Sequence, residues 1–174
     1  MEKFPKPVVV VSKCLGFEHC RYDGEMIDAP FVDKLKDHVL FCPVCPEMEI
    51  GLGVPRKPIR IVRVDDVNTL YQPATGNDLT DSMQSFLATF LDSLTEVDGF
   101  LFKSRSPTCG VNDVKIYTGF DASSRTSRGG GFLGGAVLEK FSGLPVEDEG
   151  RMRNFTIREH FLTRIFTFAR FREV

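Results

Sequence analysis

The feature that most constrains the fold is Val8-Val9-Val10-Val11, four β-branched residues in a row behind Pro5 and Pro7. Such side chains favour extended backbone, and a run without polar alternation belongs to a strand covered on both faces. Strands of that kind sit inside parallel sheets with helices on either side. The rest of the chain keeps this rhythm. Residues 38–44 and 99–104 read as further strands, the first interrupted near its end by Pro43. Residues 59–64 alternate and suit an edge or half-exposed strand, and 144–146 make a short last one. Between them, Thr80 or Asp81 can cap a helix whose Met83, Phe86, Leu87, Phe90, Leu91 and Leu94 form one stripe. Helices are also expected over 30–37, 131–141 and 155–173. The predicted fold class is α/β: a Rossmann-like open, mostly parallel sheet flanked by helices, in a single domain with right-handed crossovers.

The 174 residues, 42% hydrophobic and 26% charged, suffice for one such domain and its core. A net charge of −2 argues against broad electrostatic capture of nucleic acid, though not against a small nucleotide held in a local cationic pocket. No apolar run approaches the roughly 20 residues that span a bilayer. The start has no signal-peptide pattern, so a cytoplasmic location is expected.

Five cysteines are few, and odd in number, for a secreted disulfide scaffold; in a cytosolic protein they point to metal binding or catalysis. Taken singly, each is more often a buried core residue. Their positions tell against that. Cys14 follows the first strand, Cys45 follows the second, and Cys109 comes shortly after the strand at 99–104. Parallel strands end at one edge, where ligands collect, so three cysteines distant in sequence are expected to meet there. Soft thiolates of this kind select an iron–sulfur cluster, zinc or Cu(I). A structural zinc would want a fourth ligand, for which Cys20 and Cys42 are available. Cys42-Pro43-Val44-Cys45 also has the outline of a redox pair, but no helix start is expected after its second cysteine.

Five ordered segments carry a more specific signal: Ser12-Lys13-Cys14-Leu15-Gly16, Cys20-Arg21-Tyr22-Asp23-Gly24, Cys45-Pro46-Glu47, Gly51-Leu52-Gly53-Val54-Pro55-Arg56, and Lys103-Ser104-Arg105-Ser106-Pro107-Thr108-Cys109-Gly110. In this order, across residues 8–164, the chain resembles the thiouracil desulfidase (TudS-like) family, formerly a domain of unknown function. The resemblance implies a [4Fe–4S] cluster held by three cysteines, here Cys14, Cys45 and Cys109, with one iron left open. The family often has valine at the position of Cys20, and Cys42 lies outside its motif, so both are set aside as ligands. Two catalytic residues are implied, Glu47 and Ser106. Thr108 stands where the family usually has serine, and a hydroxyl is kept.

The expected activity is non-redox desulfuration of thiouracil or 4-thiouridine to uracil or uridine with release of sulfide, a reaction suited to the turnover of modified tRNA bases. The open iron would grip the thiocarbonyl sulfur, Glu47 would orient or deprotonate water, and Ser106 would hydrogen-bond that water or the developing anion. The expected partner is a small thiolated pyrimidine or nucleoside, with RNA as another carrier of the same base. A non-catalytic iron–sulfur or zinc protein is the competing reading.

Arg21, Tyr22, Asp23 and Arg56 are candidate substrate-binding residues; an Arg–Asp pair bracing the loop is an equal reading of the first three. Gly129-Gly130-Gly131-Phe132-Leu133-Gly134 matches GxGxxG but does not follow a first strand, which weakens it as a dinucleotide fingerprint. With Arg125 and Arg128 it would still offer N–H groups to a phosphate. His19, His38 and His160 show no ligand spacing. Residues 1–150 are expected to form the desulfidase domain. Residues 151–174 are expected to form a C-terminal helix that resembles the lead-in to a second domain, absent here. Its apolar face would pack on the core or on a second copy, giving a monomer or homodimer.

Overall fold

The structure is a computed structural model and describes residues 4–121 and 123–174. Strand β1 (Val8–Ser12) lies inside a four-stranded sheet with β2 (Leu40–Val44) on one side and β6 (Gly99–Phe102) on the other; β9 (Val146–Asp148) closes the far edge. Every pairing in this sheet is parallel. The valine run behaves as its composition requires, with Val9, Val10 and Val11 fully buried. Because side chains alternate across a sheet, the run feeds two cores. Val10, Phe100 and Phe102 pack on one face with Met83, Leu87 and Leu91 of α3 (Thr80–Ser93) and with Leu133 and Val137 of α4 (Phe132–Lys140). Val9, Val11 and Leu101 face the other way, onto Val32 of α1 (Pro30–Leu35) and Phe161 and Ile165 of α5 (Phe155–Arg172). This is the expected α/β arrangement, with helices on both faces.

A second sheet departs from the expectation. Residues 59–64 do not border the parallel sheet. They form β3 (Arg60–Val64), the middle strand of a five-stranded mixed sheet in the order β5-β4-β3-β7-β8. Its other members are β4 (Val67–Gln72), β5 (Asn77–Asp78), β7 (Val114–Tyr117) and β8 (Thr126–Gly129). None of these four strands was expected. β3 and β4 form a hairpin through Asp65 and Asp66, both at positive φ, the conformation a two-residue turn of this kind demands. Three of the four residues of β8 are exposed and leave no apolar alternation to mark it; its backbone pairing with β7 makes it a strand.

The helix at 80–93 starts earlier than a Thr80 or Asp81 cap would set it: Leu79 is the N-cap and offers no side-chain acceptor, the Asp78 carboxylate accepts from the Thr80 N–H at 2.9 Å, and the Thr80 hydroxyl accepts from the Leu70 N–H at 2.9 Å. In α5, Asn154 is the N-cap, its side chain accepting from the Ile157 N–H at 3.2 Å. Phe161, Ile165 and Ala169, spaced four apart, make the buried stripe of α5, which packs on the parallel sheet. Among the described residues no helix is long and apolar enough to cross a membrane.

Candidate active site

β1, β2 and β6 are adjacent and parallel, so their C-terminal ends open onto one edge of the sheet. A cavity of about 450 Å³ lies there, and Cys14, Cys45, Cys109, Glu47 and Ser106 all line it. Cys20 lines it as well, buried with its thiol in hydrogen-bond contact with those of Cys14 and Cys45. Cys42 is exposed on β2 and takes no part. Contrary to expectation, a helix does begin after Cys45: Cys45 is the N-cap of α2 (Pro46–Glu49), with Pro46 at its first position. That single turn sets Glu47 two residues beyond the cysteine and turns it into the cavity.

Cys109 is fixed by a different device. The first N–H groups of α4 and the glycine before it do not face an anion. Gly131, Phe132, Leu133 and Gly134 donate to the carbonyls of Gly110, Pro107 and Thr108 at 2.8–3.1 Å. The orphan donors of a helix start therefore hold the Cys109 loop by its backbone. The phosphate-binding reading of residues 129–134 falls for that reason, and Arg128 is engaged with the Asp113 carbonyl at 2.7 Å. The glycines are there for close approach: a Cβ at Gly134 would stand 2.0 Å from the Gly110 oxygen, and one at Gly131 2.6 Å from that of Thr108.

Glu47 is nearly buried and fully engaged. Arg56 donates from Nε and from Nη2 to its Oε2, both at 2.7 Å. Thr108 Oγ1 donates to Oε1 at 3.1 Å. The Arg56 side chain is only 4% exposed, and its Nη1 donates to the carbonyls of Cys20 and Gly53, each at 2.9 Å. Arg56 thus lines the cavity while its donors point at protein atoms, binding the loop of Cys20 to the helix of Glu47. A buried pair so hydrogen-bonded is costly to break from one side, on the order of 3–5 kcal/mol, because the orphaned charge stays in place. Ser106 Oγ accepts from the N–H groups of Thr108 and Cys109 at 3.3 and 3.1 Å and lies 3.1 Å from Thr108 Oγ1. Glu47 and Ser106 are therefore joined through Thr108, a residue sequence reading treated only as a conservative departure.

Burial and contact with one another raise three of the cavity's thiols above the ordinary range. Burial pushes Cys109 up to about 12. Cys20 rises to about 11, first through its contact with Cys14. Cys45 is raised by its contact with Cys20 and by burial. Around the mouth, Arg21 and Tyr22 line the cavity, whereas Asp23 pairs with Arg21 at 3.2 Å and braces the loop. Lys103 also lines it, bound to Glu149 at 2.6 Å. Burial opposes the charge on Glu149, but Lys103 and the Ser104 N–H and hydroxyl outweigh it and hold that carboxyl below its ordinary range. None of the three histidines lines the cavity.

The chemistry of this donor set is soft: four cysteine sulfurs border one cavity and no imidazole does. Among the described residues, no three His, Cys, Asp or Glu side chains are drawn up around a single-ion position. The 2-thiouracil desulfurase family model matches residues 9–149. The chain belongs to this family. It is 29% identical over 154 residues to the uncharacterized protein YbbK of Bacillus subtilis (strain 168), covering 84% of this chain and 99% of the relative. Among solved structures it is similar to the [4Fe-4S]-dependent thiouracil desulfidase TudS, with a TM-score of 0.65 and 26% identity over 89% of this chain and 99% of that one. As a desulfurase-family enzyme the chain keeps all five of its marked segments inside or beside the matched region, and each contributes to the cavity or its walls.

Proposed function

We propose that this chain removes sulfur from thiouracil or a 4-thiouridine nucleoside, using a [4Fe–4S] cluster held by Cys14, Cys45 and Cys109. The observation that carries the reading is the convergence of those three thiols, two from just beyond β1 and β2 and one from the loop after β6 that α4 holds, on the cavity that also holds Glu47 and Ser106. Membership of the desulfurase family and likeness to a [4Fe-4S]-dependent desulfidase support the choice of iron over zinc. When bound, the cluster would supply a Lewis-acidic iron, free of protein ligands, for the thiocarbonyl sulfur.

The chain's own residues then do the acid–base work. Arg56 occupies Oε2 of Glu47 and fixes the carboxylate plane, leaving Oε1 as the working atom. Ser106 presents its hydroxyl at the cavity wall, where it can hold a water against the carbon that bears sulfur. Glu47 receives a proton from that water, the oxygen adds to the carbon, and sulfur leaves as hydrosulfide. Thiocarbonyl and water become carbonyl and hydrogen sulfide, with no electron gained or lost. A cavity of about 450 Å³ is within the range of small-molecule sites, and the net charge of −2 gives no general attraction for RNA, so we assign a free base or nucleoside as substrate. Such a substrate fits a cytoplasmic setting.

The test is Glu47→Gln in anaerobically purified protein, which keeps a side-chain oxygen for Arg56 and removes the base. Iron and acid-labile sulfide should match the wild type, while conversion of 4-thiouracil to uracil, followed by chromatography, should fall at least about 100-fold. Undiminished conversion would remove Glu47 from the reaction.

A further inference from the structure

We propose that Thr108 is the positioning residue that relays a proton from Ser106 to Glu47, so that base and water-holding hydroxyl act as one unit. The inference rests on the proposed roles of Glu47 and Ser106. The geometry gives the relay a direction. Ser106 Oγ already accepts two backbone N–H groups, from Thr108 at 3.3 Å and Cys109 at 3.1 Å. A hydroxyl has one hydrogen to give, so the direction is set by the neighbour that can only accept. The hydroxyl beside it is Thr108 Oγ1, at 3.1 Å. Thr108 in turn has Glu47 Oε1 at 3.1 Å and Cys109 Sγ at 3.8 Å as acceptors; the nearer, charged oxygen takes its hydrogen. Thr108 is 1% exposed, so no solvent molecule can replace it in the chain. Ser106 donates to Thr108, Thr108 donates to Glu47, and Arg56 anchors the far oxygen of the carboxylate.

The step balances. A water that takes the place of the longer, 3.3 Å contact from the Thr108 N–H passes one proton to the lone pair of Ser106 Oγ so freed, as the serine hydrogen moves to Thr108 Oγ1 and the threonine hydrogen moves to Glu47 Oε1. The water oxygen forms a bond to the substrate carbon with its freed pair, and the carbon–sulfur double bond opens onto sulfur. The remaining water hydrogen moves to sulfur as the carbonyl forms, and hydrosulfide departs with the carbon–sulfur pair. The proton on Glu47 neutralises it and restores the carboxylate.

Two variants test this in the anaerobically loaded enzyme. Thr108→Val keeps the shape and removes the hydroxyl; Thr108→Ser restores it. The relay requires Thr108→Val to lose about 100-fold in kcat, the lower end for general acid–base catalysis. Its KM should stay within about twofold, its iron content should be unchanged, and kcat should rise with unit slope in pH as free hydroxide replaces the relayed water. Thr108→Ser should recover kcat to within about threefold. Wild-type kcat and pH profile in Thr108→Val, or a Thr108→Ser variant as slow as Thr108→Val, would overturn the relay. So would loss of iron from Thr108→Val, which would make Thr108 a support for Cys109. Glu47→Gln, assayed alongside, separates the two levels. If it turns over normally the role of Glu47 itself fails, whereas an inactive Glu47→Gln beside a fully active Thr108→Val defeats only the relay.

Discussion

Replacing Gly134 by alanine should disable the site without changing the identity of any residue that lines it. The hydrogen of Gly134 points at the backbone of the Cys109 loop, and a Cβ built there would stand 2.0 Å from the Gly110 oxygen, 2.7 Å from its carbonyl carbon and 2.8 Å from the Cys109 oxygen. Ordinary contact begins at 3.4 Å, so helix and loop must part by about 1.4 Å. The atoms in the way are backbone and have no rotamer to turn. Overpacking of this kind costs about 1–3 kcal/mol. At about 2–4 °C per kcal/mol for a chain of this size, Tm should fall by roughly 2–12 °C. The functional loss should be larger than the stability loss, because a displacement near 1 Å at a catalytic constellation can cost about 100-fold. Gly135 is the internal control: its Cβ would meet only the Gly130 Cα, at 4.0 Å. Gly135→Ala, inside a helix, should be neutral or stabilising by about 0.5–1 kcal/mol. The assay is iron per chain after anaerobic reconstitution, read with thermal unfolding. A Gly134→Ala protein that loads iron and melts like the wild type, or a Gly135→Ala protein equally damaged, would refute the view that backbone contact between α4 and the loop places Cys109.

Cys20→Val should retain iron, sulfide and desulfuration, since the carbonyl that receives Arg56 belongs to the backbone and survives the change; loss of iron would make Cys20 a ligand. The metal-free protein should lose stability in alkali. Cys109 and Cys20 are raised to about 12 and about 11 in the fold, while an unfolded cysteine ionises near 8.5. Their contribution is therefore complete below about pH 8.5 and is lost as pH rises toward 11–12. The urea midpoint of metal-free protein should accordingly drop between pH 8 and pH 10. Because ligands bind as thiolates, iron uptake should release protons and go further at pH 8.5 than at pH 7. A midpoint that climbs over that range would contradict the burial of these thiols.

The parallel sheet was legible in the sequence because its signals are local: an unbroken valine run, apolar stripes at helical spacing, and cysteines just beyond strand ends. The second sheet was not. β8 carries Thr126, Ser127 and Arg128, whose exposure gives it no apolar pattern, and β5 is two residues long. What makes them strands is pairing with segments distant in sequence, which no local window contains. The same holds at the site. The placement of Cys14, Cys45 and Cys109 could be read from topology, and Glu47 and Ser106 from resemblance to a family. Thr108 and Arg56 took their roles only from the fold, since their partners lie 61 and 9 residues away. The glycine-rich stretch misled for a physical reason. A helix start rich in glycine offers N–H groups to any acceptor, and here the acceptor is the protein's own loop. A glycine two residues into α4, where no turn needs it, was the one sequence sign that backbone would approach backbone.

The central claim is that the cavity at the ends of β1, β2 and β6 is the site of cluster-dependent desulfuration. Its most direct test is a single anaerobic preparation in which iron, acid-labile sulfide and zinc are counted per chain and 4-thiouracil is then added. The account predicts about four irons and four sulfides per chain, no stoichiometric zinc, and uracil formed mole for mole with new sulfide. One zinc per chain without iron, or an iron-loaded protein that leaves thiouracil intact, would contradict it.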